Sequence, residues 1–292
     1  MFKNICIIGC GLIGSSILRS VKKKKLSKKI TVFDKSISVR RYLKRKNLCN
    51  NISANLKKSV IGADLVIIAS PLSAYDGILR AIKDNLKVGT ILTDTGSVKR
   101  KINDVTKKLK IKNVSWIASH PIAGTEFSGP EAAIHNLYHG KVNMLCETQK
   151  TRPDLLKRAH AIFTNLGMHI REIDPSEHDR NIAYVSHLSH ITSFMLGKTV
   201  MEKEADEQSI FDMAGSGFSS TVRLAKSSPE MWMPIFRHNK HNVIETLDEY
   251  ISNMENFKSL LVNDDYTTLV EEMKKINTIT HILKPEIKTN GK

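Results

Sequence analysis

The sequence predicts an α/β domain with a mostly parallel sheet over residues 1–174, followed by an all-α domain over residues 175–292. Up to about residue 173, short β-branched runs alternate with amphipathic segments, which is typical of parallel strands covered by helices on both faces. After Asp174-Pro175, strand signals almost disappear and helical periodicity dominates. The hydrophobic fraction of 41% and the charged fraction of 25% are those of a globular chain. We therefore expect two packed domains.

The strands of the first domain are predicted where β-branched residues cluster, at residues 2–9, 29–34, 64–70, 90–95, 114–119, 141–147 and 168–173. Helices are predicted between them at residues 12–24, 37–47, 73–85, 98–109 and 153–166. In the second domain a helix begins at Ser176, has an acidic first turn that suits the helix dipole, and runs to about Met201. A loop is predicted at residues 215–217, and further helices at residues 230–261 and 264–281.

The basic residues are concentrated in the first part of the chain. Residues 1–112 carry 26 Lys and Arg against 6 Asp and Glu, in a chain of net charge +16. Such an excess is compatible with nucleic-acid binding, which pairs basic residues with aromatic ones. This segment has only four aromatic residues, and two of them, Phe2 and Phe33, lie in predicted buried strands. We therefore expect no nucleic-acid partner, and interpret part of the excess charge as a field that attracts anionic ligands.

Composition also argues against membrane and disulfide-rich classes. No apolar run approaches the roughly 20 residues of a membrane span, and the basic run at residues 22–25 follows the apolar N-terminal stretch, unlike a secretory signal. Four cysteines are too few for a disulfide scaffold, and none forms a Cys-x-x-Cys pair. We expect reduced thiols, a cytoplasmic protein, no membrane partner and no metal.

A glycine-rich segment follows the first predicted strand and opens the first predicted helix. In this context Gly9-Cys-Gly-Leu-Ile-Gly14 has the spacing of a Rossmann-type dinucleotide-binding loop. The first glycine permits a tight turn, the second lets the backbone approach a pyrophosphate, and the third allows close packing of helix on strand. The pyrophosphate then binds free N–H groups at the helix N-terminus. The predicted contacts are Gly9, Gly11, Leu12, Ile13 and Gly14.

Asp34 ends the second predicted strand, about twenty residues beyond the glycines, where an acidic side chain binds the ribose hydroxyls. A carboxylate there repels a 2′-phosphate, so NAD is the predicted cofactor. Lys35, Arg40 and Arg41 follow closely and are able to neutralise such a phosphate, so NADP is not excluded. Two further residues, at the end of the predicted strand 64–70, complete the predicted cofactor site: Ser70 and Pro71.

Two polar residues follow strands at the carboxyl edge of the predicted sheet, where ligands of open parallel sheets bind. His120 is placed there to take a proton from a substrate hydroxyl near neutral pH, although a histidine in this position also caps loops. Ser97 precedes a predicted helix. Its hydroxyl is able to orient the imidazole of His120, to cap the helix, or to do both.

Three more residues of the second domain are candidates for binding a substrate. His187 and His190 are three residues apart in a predicted helix and share a face, either toward a substrate or as histidines at the edge of a core. A metal site would need at least one more ligand, and no matching carboxylate spacing is present. Arg223 follows a glycine-containing loop, and its guanidinium is able to bind a carboxylate with two hydrogen bonds.

Taken together, these segments resemble the prephenate/arogenate dehydrogenase family of tyrosine biosynthesis. The resemblance extends from Ile5 to about Leu261. It rests on several ordered motifs: Gly9-Cys-Gly-Leu-Ile-Gly-Ser15, Asp94-Thr-Gly-Ser-Val-Lys99, His120-Pro-Ile-Ala-Gly-Thr-Glu-Phe-Ser-Gly129, Ser186-His-Leu-Ser-His190, Ala214-Gly-Ser-Gly-Phe218 with Thr221-Val-Arg223, and Ser228-Pro-Glu-Met-Trp232.

The resemblance implies an NAD(P)-dependent oxidative decarboxylation of a cyclohexadienol acid by a homodimer whose helical domain mediates dimerisation. It implies that His120 accepts the proton of the ring hydroxyl and that Ser97 orients this histidine and helps to place the cofactor. Arg223 then binds the ring carboxylate. The substrate side chain is predicted to contact His187, His190, Thr125 and Glu126.

The chain departs from the family pattern at two places. Ser220 stands where many members carry an acidic residue, so Glu126 lacks one expected partner in a charge network. Ser189 replaces the usual proline of the paired-histidine motif, which predicts a straighter helix.

Prephenate is favoured as the substrate, because apart from Glu126 no unpaired acid near the predicted pocket meets the ammonium group of arogenate. Arogenate dehydrogenase remains the first alternative. A dehydrogenase of 3-hydroxy acids is less favoured, since Lys198 or Lys240 would have to serve as its catalytic lysine.

Overall fold

The computed structural model of the chain describes residues 2–111, 114–207 and 209–283, apart from the side chains of Lys150, Asp206 and Glu207. The chain forms two compact units, Met1–Val243 and Ile244–Lys292. The first unit contains the whole sheet and every predicted site residue. The domain boundary predicted at residue 174 stays a prediction.

The described residues form one eight-stranded sheet with the strand order β3-β2-β1-β4-β5-β6-β7-β8. Strands β1 to β6 are parallel to one another, β7 is antiparallel to β6, and β8 is parallel to β7. The predicted mostly parallel sheet is therefore confirmed. The strands are β1 (Phe2–Ile8), β2 (Ser27–Phe33), β3 (Asn51–Ser53), β4 (Leu65–Ile68), β5 (Thr90–Asp94), β6 (Val114–Pro121), β7 (Val142–Cys146) and β8 (His169–Glu172).

Helices connect the strands and form most of the described residues after the last strand. In the sheet region they are α1 (Leu12–Lys23), α2 (Ile37–Arg45), α3 (Leu56–Ser59), α4 (Tyr75–Ile82), α5 (Arg100–Leu109) and α6 (Pro153–Leu166). After the last strand come α7 (Pro175–Ile182), α8 (Leu188–Glu207), α9 (Ser216–Thr221), α10 (Pro229–His238), α11 (Lys240–Val262), α12 (Tyr266–Ile276) and α13 (Ile279–Ile282). The predicted all-α second half is therefore confirmed.

Five local predictions differ from the structure, and one of them is the helix predicted at residues 264–281, which is the two helices α12 and α13. Strand β3 was not predicted, because three residues at the end of the sheet carry too little pattern. The loop predicted at residues 215–217 is partly helical, since α9 begins at Ser216. The helix predicted at 230–261 is two helices that meet at Asn239, whose buried side chain donates a hydrogen bond to the backbone carbonyl of Asp179. A π-helical segment, Ala183–His187, joins α7 to α8, so the helix predicted from Ser176 to about Met201 is not α-helical throughout.

Both faces of the sheet are buried, which explains the continuous apolar strands. Ile5 and Ile7 of β1 point to one cluster with residues of α1 and α6, including Phe163. Cys6 and Ile8 point to the opposite cluster, where α4 and α5 pack together with Trp232 of α10. Because side chains alternate along a strand, a strand covered on both faces has no polar positions in its centre.

The helical unit after residue 243 exposes much of its apolar surface. On α11, apolar residues spaced three, four or seven positions apart form one stripe along the helix. Each is at least 41% exposed: Ile244, Ile251, Met254, Phe257 and Leu261. Contiguous apolar patches of this kind mark interaction surfaces in soluble proteins. Among the described residues, no helix is both long and apolar enough to cross a bilayer.

We expect Phe163→Ala to lower the free energy of unfolding by about 3–5 kcal/mol, because it removes a fully buried ring from the core beneath α6. Urea denaturation measures this loss. Lys157→Ala, an exposed position on the same helix, is the matched control and should stay within about 0.5 kcal/mol of the parent. Equal stabilities of the two variants would contradict the assignment of this core.

Candidate active site

The carboxyl ends of four parallel strands bring the predicted site residues to one edge of the sheet. Gly9 follows β1, Ser70 follows β4, Ser97 follows β5, and His120 lies at the end of β6. Strand β1 lies between β2 and β4, so the strand order reverses beside it. Open α/β sheets bind their ligands at this switch point.

The glycine-rich loop is tightly packed against the protein and open on its other side. Gly9 has a φ of +88°, and a Cβ there would lie 2.8 Å from the carbonyl oxygen of Ala69. A Cβ on Gly14 would lie 2.0 Å from the carbonyl oxygen of Gly9. Gly11 differs, because a Cβ there would have no neighbouring atom within 4 Å. The open space at Gly11 is where the backbone is able to approach a pyrophosphate.

Helix α1 begins immediately after this loop. The backbone N–H groups of its first turn, including those of Leu12 and Ile13, have no partner within the helix and carry the positive end of its dipole. Leu12 is buried against the core and the half-buried Ile13 packs on it, so both side chains fix the start of the helix. This arrangement fits a bound diphosphate.

Asp34 lies directly beyond β2 and beside the loop. Its Oδ2 accepts the N–H of Cys10 at 2.8 Å, and its Oδ1 accepts the N–H of Ser36 at 2.8 Å. Each carboxylate oxygen keeps a further acceptor site, which suits the two hydroxyls of a ribose. Arg40 donates to the backbone carbonyls of Asp34 and Lys35, so its guanidinium is already engaged.

The remaining predicted cofactor contacts lie across the loop. The hydroxyl of Ser70 donates to the carbonyl of Ile8 at 3.3 Å and closes the space over Gly9. Pro71 is exposed and precedes the short 3-10 turn Leu72–Ala74. The residues around the loop therefore fit a dinucleotide, with an anion-binding helix end, an open glycine and an acidic ribose acceptor.

His120 is buried and belongs to a chain of hydrogen bonds. Its Nδ1 lies 2.9 Å from Nε2 of His178, and Nδ1 of His178 lies 2.8 Å from Oδ1 of Asp179. The two carboxylate oxygens of Asp179 also accept the backbone N–H groups of Lys99 and Arg100, at 2.7 and 2.9 Å. Of the residues in this chain of hydrogen bonds, only His120 is predicted from the sequence to belong to the site.

The surroundings of His120 keep its imidazole neutral. Burial lowers the pKa of His120 well below its ordinary value, and the nearby ammonium group of Lys99 lowers it further. At neutral pH the ring is therefore unprotonated on one nitrogen. A neutral imidazole at the carboxyl edge of the sheet is able to accept a proton from a ligand in the adjacent site.

A buried ion pair ties the ends of β5 and β6 together below His120. Lys99 and Asp94 are both fully buried, with Nζ of Lys99 at 2.5 Å from Oδ2 of Asp94. The same ammonium group donates to the carbonyl of Ser119 at 2.6 Å, and Oδ1 of Asp94 accepts the N–H of Ser119 at 2.9 Å. Buried charges of opposite sign that satisfy each other in this way hold the neighbouring backbone in one place.

Ser97 is half-buried between these two strands. Within the described residues, no hydrogen bond joins it to His120, whose Nδ1 is paired with His178 instead. Ser97 is also not the cap of the following helix, because α5 begins only at Arg100 and the carboxylate of Asp179 caps it. The catalytic role of Ser97 stays a prediction.

The paired histidines contact one aromatic ring. The ring centroids of His190 and Trp232 are 3.8 Å apart. The ring of His187 meets the same indole edge-on, with the two centroids 5.9 Å apart. His187 ends the π-helical segment and its Nδ1 lies 3.2 Å from the amide nitrogen of Asn239. Burial lowers the pKa of His187 to about 4 and lowers that of the half-buried His190.

Nε2 of His187 is buried and has no hydrogen-bond partner within the described residues. Because their pKa values are lowered from the ordinary histidine value, His187 and His190 are both neutral at pH 7. In the part of the chain that the structure describes, no group of three or more His, Cys, Asp or Glu side chains is arranged to hold a metal.

Glu126, which follows His120 in the same motif, forms an ion pair with Arg223, the residue that is predicted to bind a carboxylate. Nη1 of Arg223 lies 3.8 Å from Oε2 of Glu126, and the Arg223 side chain is 53% exposed. Thr125 accepts the N–H of Phe127 and is not buried. The hydroxyl of Ser220 donates to the carbonyl of Gly217, so it takes no part in this ion pair. The long, exposed pair leaves the guanidinium free to exchange Glu126 for a ligand carboxylate.

Four residues around this site were not predicted. Lys99 and Trp232 were visible within the motifs, but neither sequence position indicates burial. His178 and Asp179 were interpreted as part of an acidic first turn that suits its own helix dipole. In the structure this aspartate instead caps α5, which lies 79 residues earlier in the chain, and no local pattern predicts such a contact.

Comparison with known proteins agrees with this geometry. The family model of the prephenate dehydrogenase nucleotide-binding domain matches residues 17–172, and that of the prephenate dehydrogenase dimerization domain matches residues 174–275. The cyclohexadienyl dehydrogenase of Zymomonas mobilis is 29% identical over 98% of this chain and 98% of its own length. The prephenate dehydrogenase of Lactococcus lactis is 30% identical over 97% of this chain and 78% of its own length.

A solved structure extends the similarity to three dimensions. The crystal structure of prephenate dehydrogenase from A. aeolicus, in complex with hydroxyphenyl propionate and NAD+, has a TM-score of 0.89 and 29% sequence identity. The match covers 96% of this chain and 98% of the A. aeolicus chain. The resemblance drawn from the motifs is thus confirmed over nearly the whole chain, and the protein belongs to the prephenate dehydrogenase family.

Proposed function

We propose that the protein is an NAD-dependent prephenate dehydrogenase that converts prephenate to 4-hydroxyphenylpyruvate by oxidative decarboxylation, a step of tyrosine biosynthesis. The observation that carries this proposal is the position of His120. It is a neutral, buried imidazole at the same sheet edge as a dinucleotide-binding loop. Family membership supports the reaction class, and Asp34 supports NAD over NADP.

When bound, NAD supplies the acceptor for the hydride that leaves the carbon bearing the ring hydroxyl. His120 accepts the proton of that hydroxyl, since burial holds its imidazole in the neutral form. Loss of the ring carboxylate as carbon dioxide then leaves an aromatic ring. Because aromatisation drives the reaction, the protein has only to position the substrate and to accept one proton.

Arg223 is the proposed partner of the ring carboxylate. Its guanidinium is half-exposed and held only by the long contact with Glu126, so binding a substrate carboxylate breaks little existing structure. His187 and His190, which pack on Trp232, and Thr125 are proposed to contact the substrate side chain. The neutral imidazoles of His187 and His190 provide no ionic partner for the ammonium group of arogenate, which supports prephenate as the substrate and leaves arogenate as the alternative.

We also infer that the protein acts as a homodimer in the cytoplasm. The match of residues 174–275 to a dimerization domain supports the dimer, as does the exposed apolar stripe of α11. The cytoplasmic location is supported by the cysteines, since Cys6, Cys10, Cys49 and Cys146 are all free thiols.

The assay that tests the proposed function offers prephenate or arogenate to the purified protein, each with NAD and with NADP, and follows reduction of the nicotinamide by absorbance. We expect the highest kcat/KM with prephenate and NAD. Turnover with arogenate alone would reassign the substrate, and no turnover in any of the four combinations would reject the activity.

We expect His120→Asn to lower kcat by about 10²–10⁴-fold, because it removes the neutral base that receives the proton. NAD binding, measured by fluorescence titration, should stay within threefold of the parent. His135→Asn, which changes an exposed histidine, is the matched control and should keep full activity. Near-normal turnover of His120→Asn would reject His120 as the base.

The pH profile reports the protonation of His120 directly. Because burial lowers the pKa of His120, the base stays unprotonated as the pH falls through the ordinary histidine value of about 6.5. We therefore expect kcat/KM for prephenate to hold steady from pH 8 to below pH 6.5 and to fall only at more acidic pH. An acid limb centred above pH 7 would contradict this assignment.

We expect Arg223→Gln to raise the KM for prephenate by about 10²-fold with a smaller effect on the KM for NAD, because a charge-assisted pair with the ring carboxylate is lost. Steady-state kinetics with each substrate varied in turn measures the difference. Arg171→Gln, exposed on β8, serves as the control. An unchanged KM for prephenate would count against this role.

A further inference from the structure

Two residues that no sequence pattern singled out, His178 and Asp179, are both buried and lie in line behind His120. The contacts run from Nδ1 of His120 to Nε2 of His178 at 2.9 Å, and from Nδ1 of His178 to Oδ1 of Asp179 at 2.8 Å. His178 is 3% exposed and Asp179 is 2% exposed, so solvent does not compete for these bonds. The order of donors and acceptors along this chain of hydrogen bonds is therefore set by the three side chains themselves.

The order follows from the far end of the chain. Both oxygens of the Asp179 carboxylate accept backbone N–H groups, those of Lys99 and Arg100, so this carboxylate acts as an acceptor. Nδ1 of His178 must then carry a hydrogen and donate it. When Nε2 of His178 carries the lone pair, it accepts Nδ1–H of the neutral His120. Nε2 of His120 is left with a free lone pair.

We propose that Asp179 and His178 are positioning residues that fix the tautomer of His120, so that its unprotonated Nε2 faces the ring hydroxyl of the substrate. The inference rests on the proposed function in one respect, that His120 is the base. It adds the residues that determine which nitrogen is basic. In the opposite tautomer Nε2 would carry a hydrogen and could not accept the substrate proton.

The same chain stabilises the base after proton transfer. When the O–H bond of the substrate breaks and an N–H bond forms at Nε2, His120 becomes an imidazolium whose Nδ1–H still donates to His178. The carboxylate of Asp179 polarises His178 and so favours this positive charge. The orienting acid of a hydrolase triad acts on its histidine in a similar way, but here a second histidine lies between the acid and the base.

Several packed elements place charged or titratable groups near the hydrogen bonds that join His120, His178 and Asp179. Lys99 and Asp94 lie beneath His120 as a buried pair, so their charges largely cancel. Arg100 contributes a backbone N–H to Asp179, and its side chain is exposed. His187 lies beside Asp179 through Asn239, whose side chain contacts both. Among the described residues, none of these groups takes the place of His178 as the partner of Nδ1 of His120.

Two substitutions at position 178 separate positioning from packing. His178→Leu removes the acceptor and fills similar space, whereas His178→Gln keeps a carbonyl oxygen for His120 and an amide that donates to Asp179. We expect His178→Leu to lower kcat by about 10²–10³-fold with KM for prephenate and NAD within threefold. His178→Gln should recover kcat to within about tenfold of the parent. A structural role would affect both variants and both KM values alike.

A measurement without substrate keeps this proposal separate from the proposed function. Two-bond ¹H–¹⁵N correlation spectra of ¹⁵N-histidine-labelled protein report the protonated nitrogen of each ring, and the His120 signals are assigned by their loss in His120→Asn. We expect His120 to carry its hydrogen on Nδ1 in the parent and in His178→Gln, and the Nε2–H tautomer to gain population in His178→Leu.

The two experiments have distinct outcomes. Absence of turnover by the parent would reject the proposed function, while the spectra would still decide the tautomer. A parent His120 protonated on Nε2 would overturn the positioning role. So would a kcat of His178→Leu within threefold of the parent. Should His178→Leu fail to fold, the parent spectrum and the kinetics of His178→Gln decide, and a loss in His178→Gln as large as in His120→Asn would reject the proposal.

Discussion

The carboxylate of Asp179 is the contact on which the site depends. It accepts the side chain of His178 and the first two N–H groups at the start of α5, which join α7 to the segment that follows β5. The backbone carbonyl of the same residue accepts Asn239, and Asn239 contacts His187. One residue therefore links the sheet edge that carries His120 with the helices that carry the paired histidines.

The start of α5 explains why a carboxylate is needed where Asp179 lies. The start of α5 presents free N–H groups and the positive end of a helix dipole, and it has no side-chain cap of its own. An acid supplied by another helix satisfies these groups, and in return they hold that acid in the orientation that His178 needs. The buried pair of Lys99 and Asp94 fixes the same segment from below, so the backbone around the base is held by charge as well as by packing.

The sequence predicted the sheet because its information there is local. Apolar β-branched runs indicate buried strands, and Gly9 and Gly14 indicate a loop whose close contacts exclude any side chain. It also placed His120 at the correct edge, since parallel strands end together. The antiparallel direction of β7 and the existence of β3 depend on pairing between distant segments, which a single strand pattern does not encode.

The unpredicted part of the site depends on distant contacts. His178 and Asp179 have an ordinary local interpretation as residues of a helix first turn, and only the fold brings α5 to them. Ser97 illustrates the reverse case. Its position after a strand suggested a helix cap, but α5 starts three residues later and receives its cap from elsewhere. The π-helical turn before His190 is likewise a product of packing, and such turns are frequent at functional sites.

The central claim is that Asp179 acts on the base through His178, and a double-mutant cycle tests it most directly. The measurement is kcat for Asp179→Ala, His178→Leu and the double variant, each verified as folded by circular dichroism. Residues that act as one unit lose their effect together. We expect kcat of the double variant to lie within threefold of kcat of the less active single variant. A loss of kcat in the double variant equal to the product of the two single losses would contradict the action of Asp179 through His178.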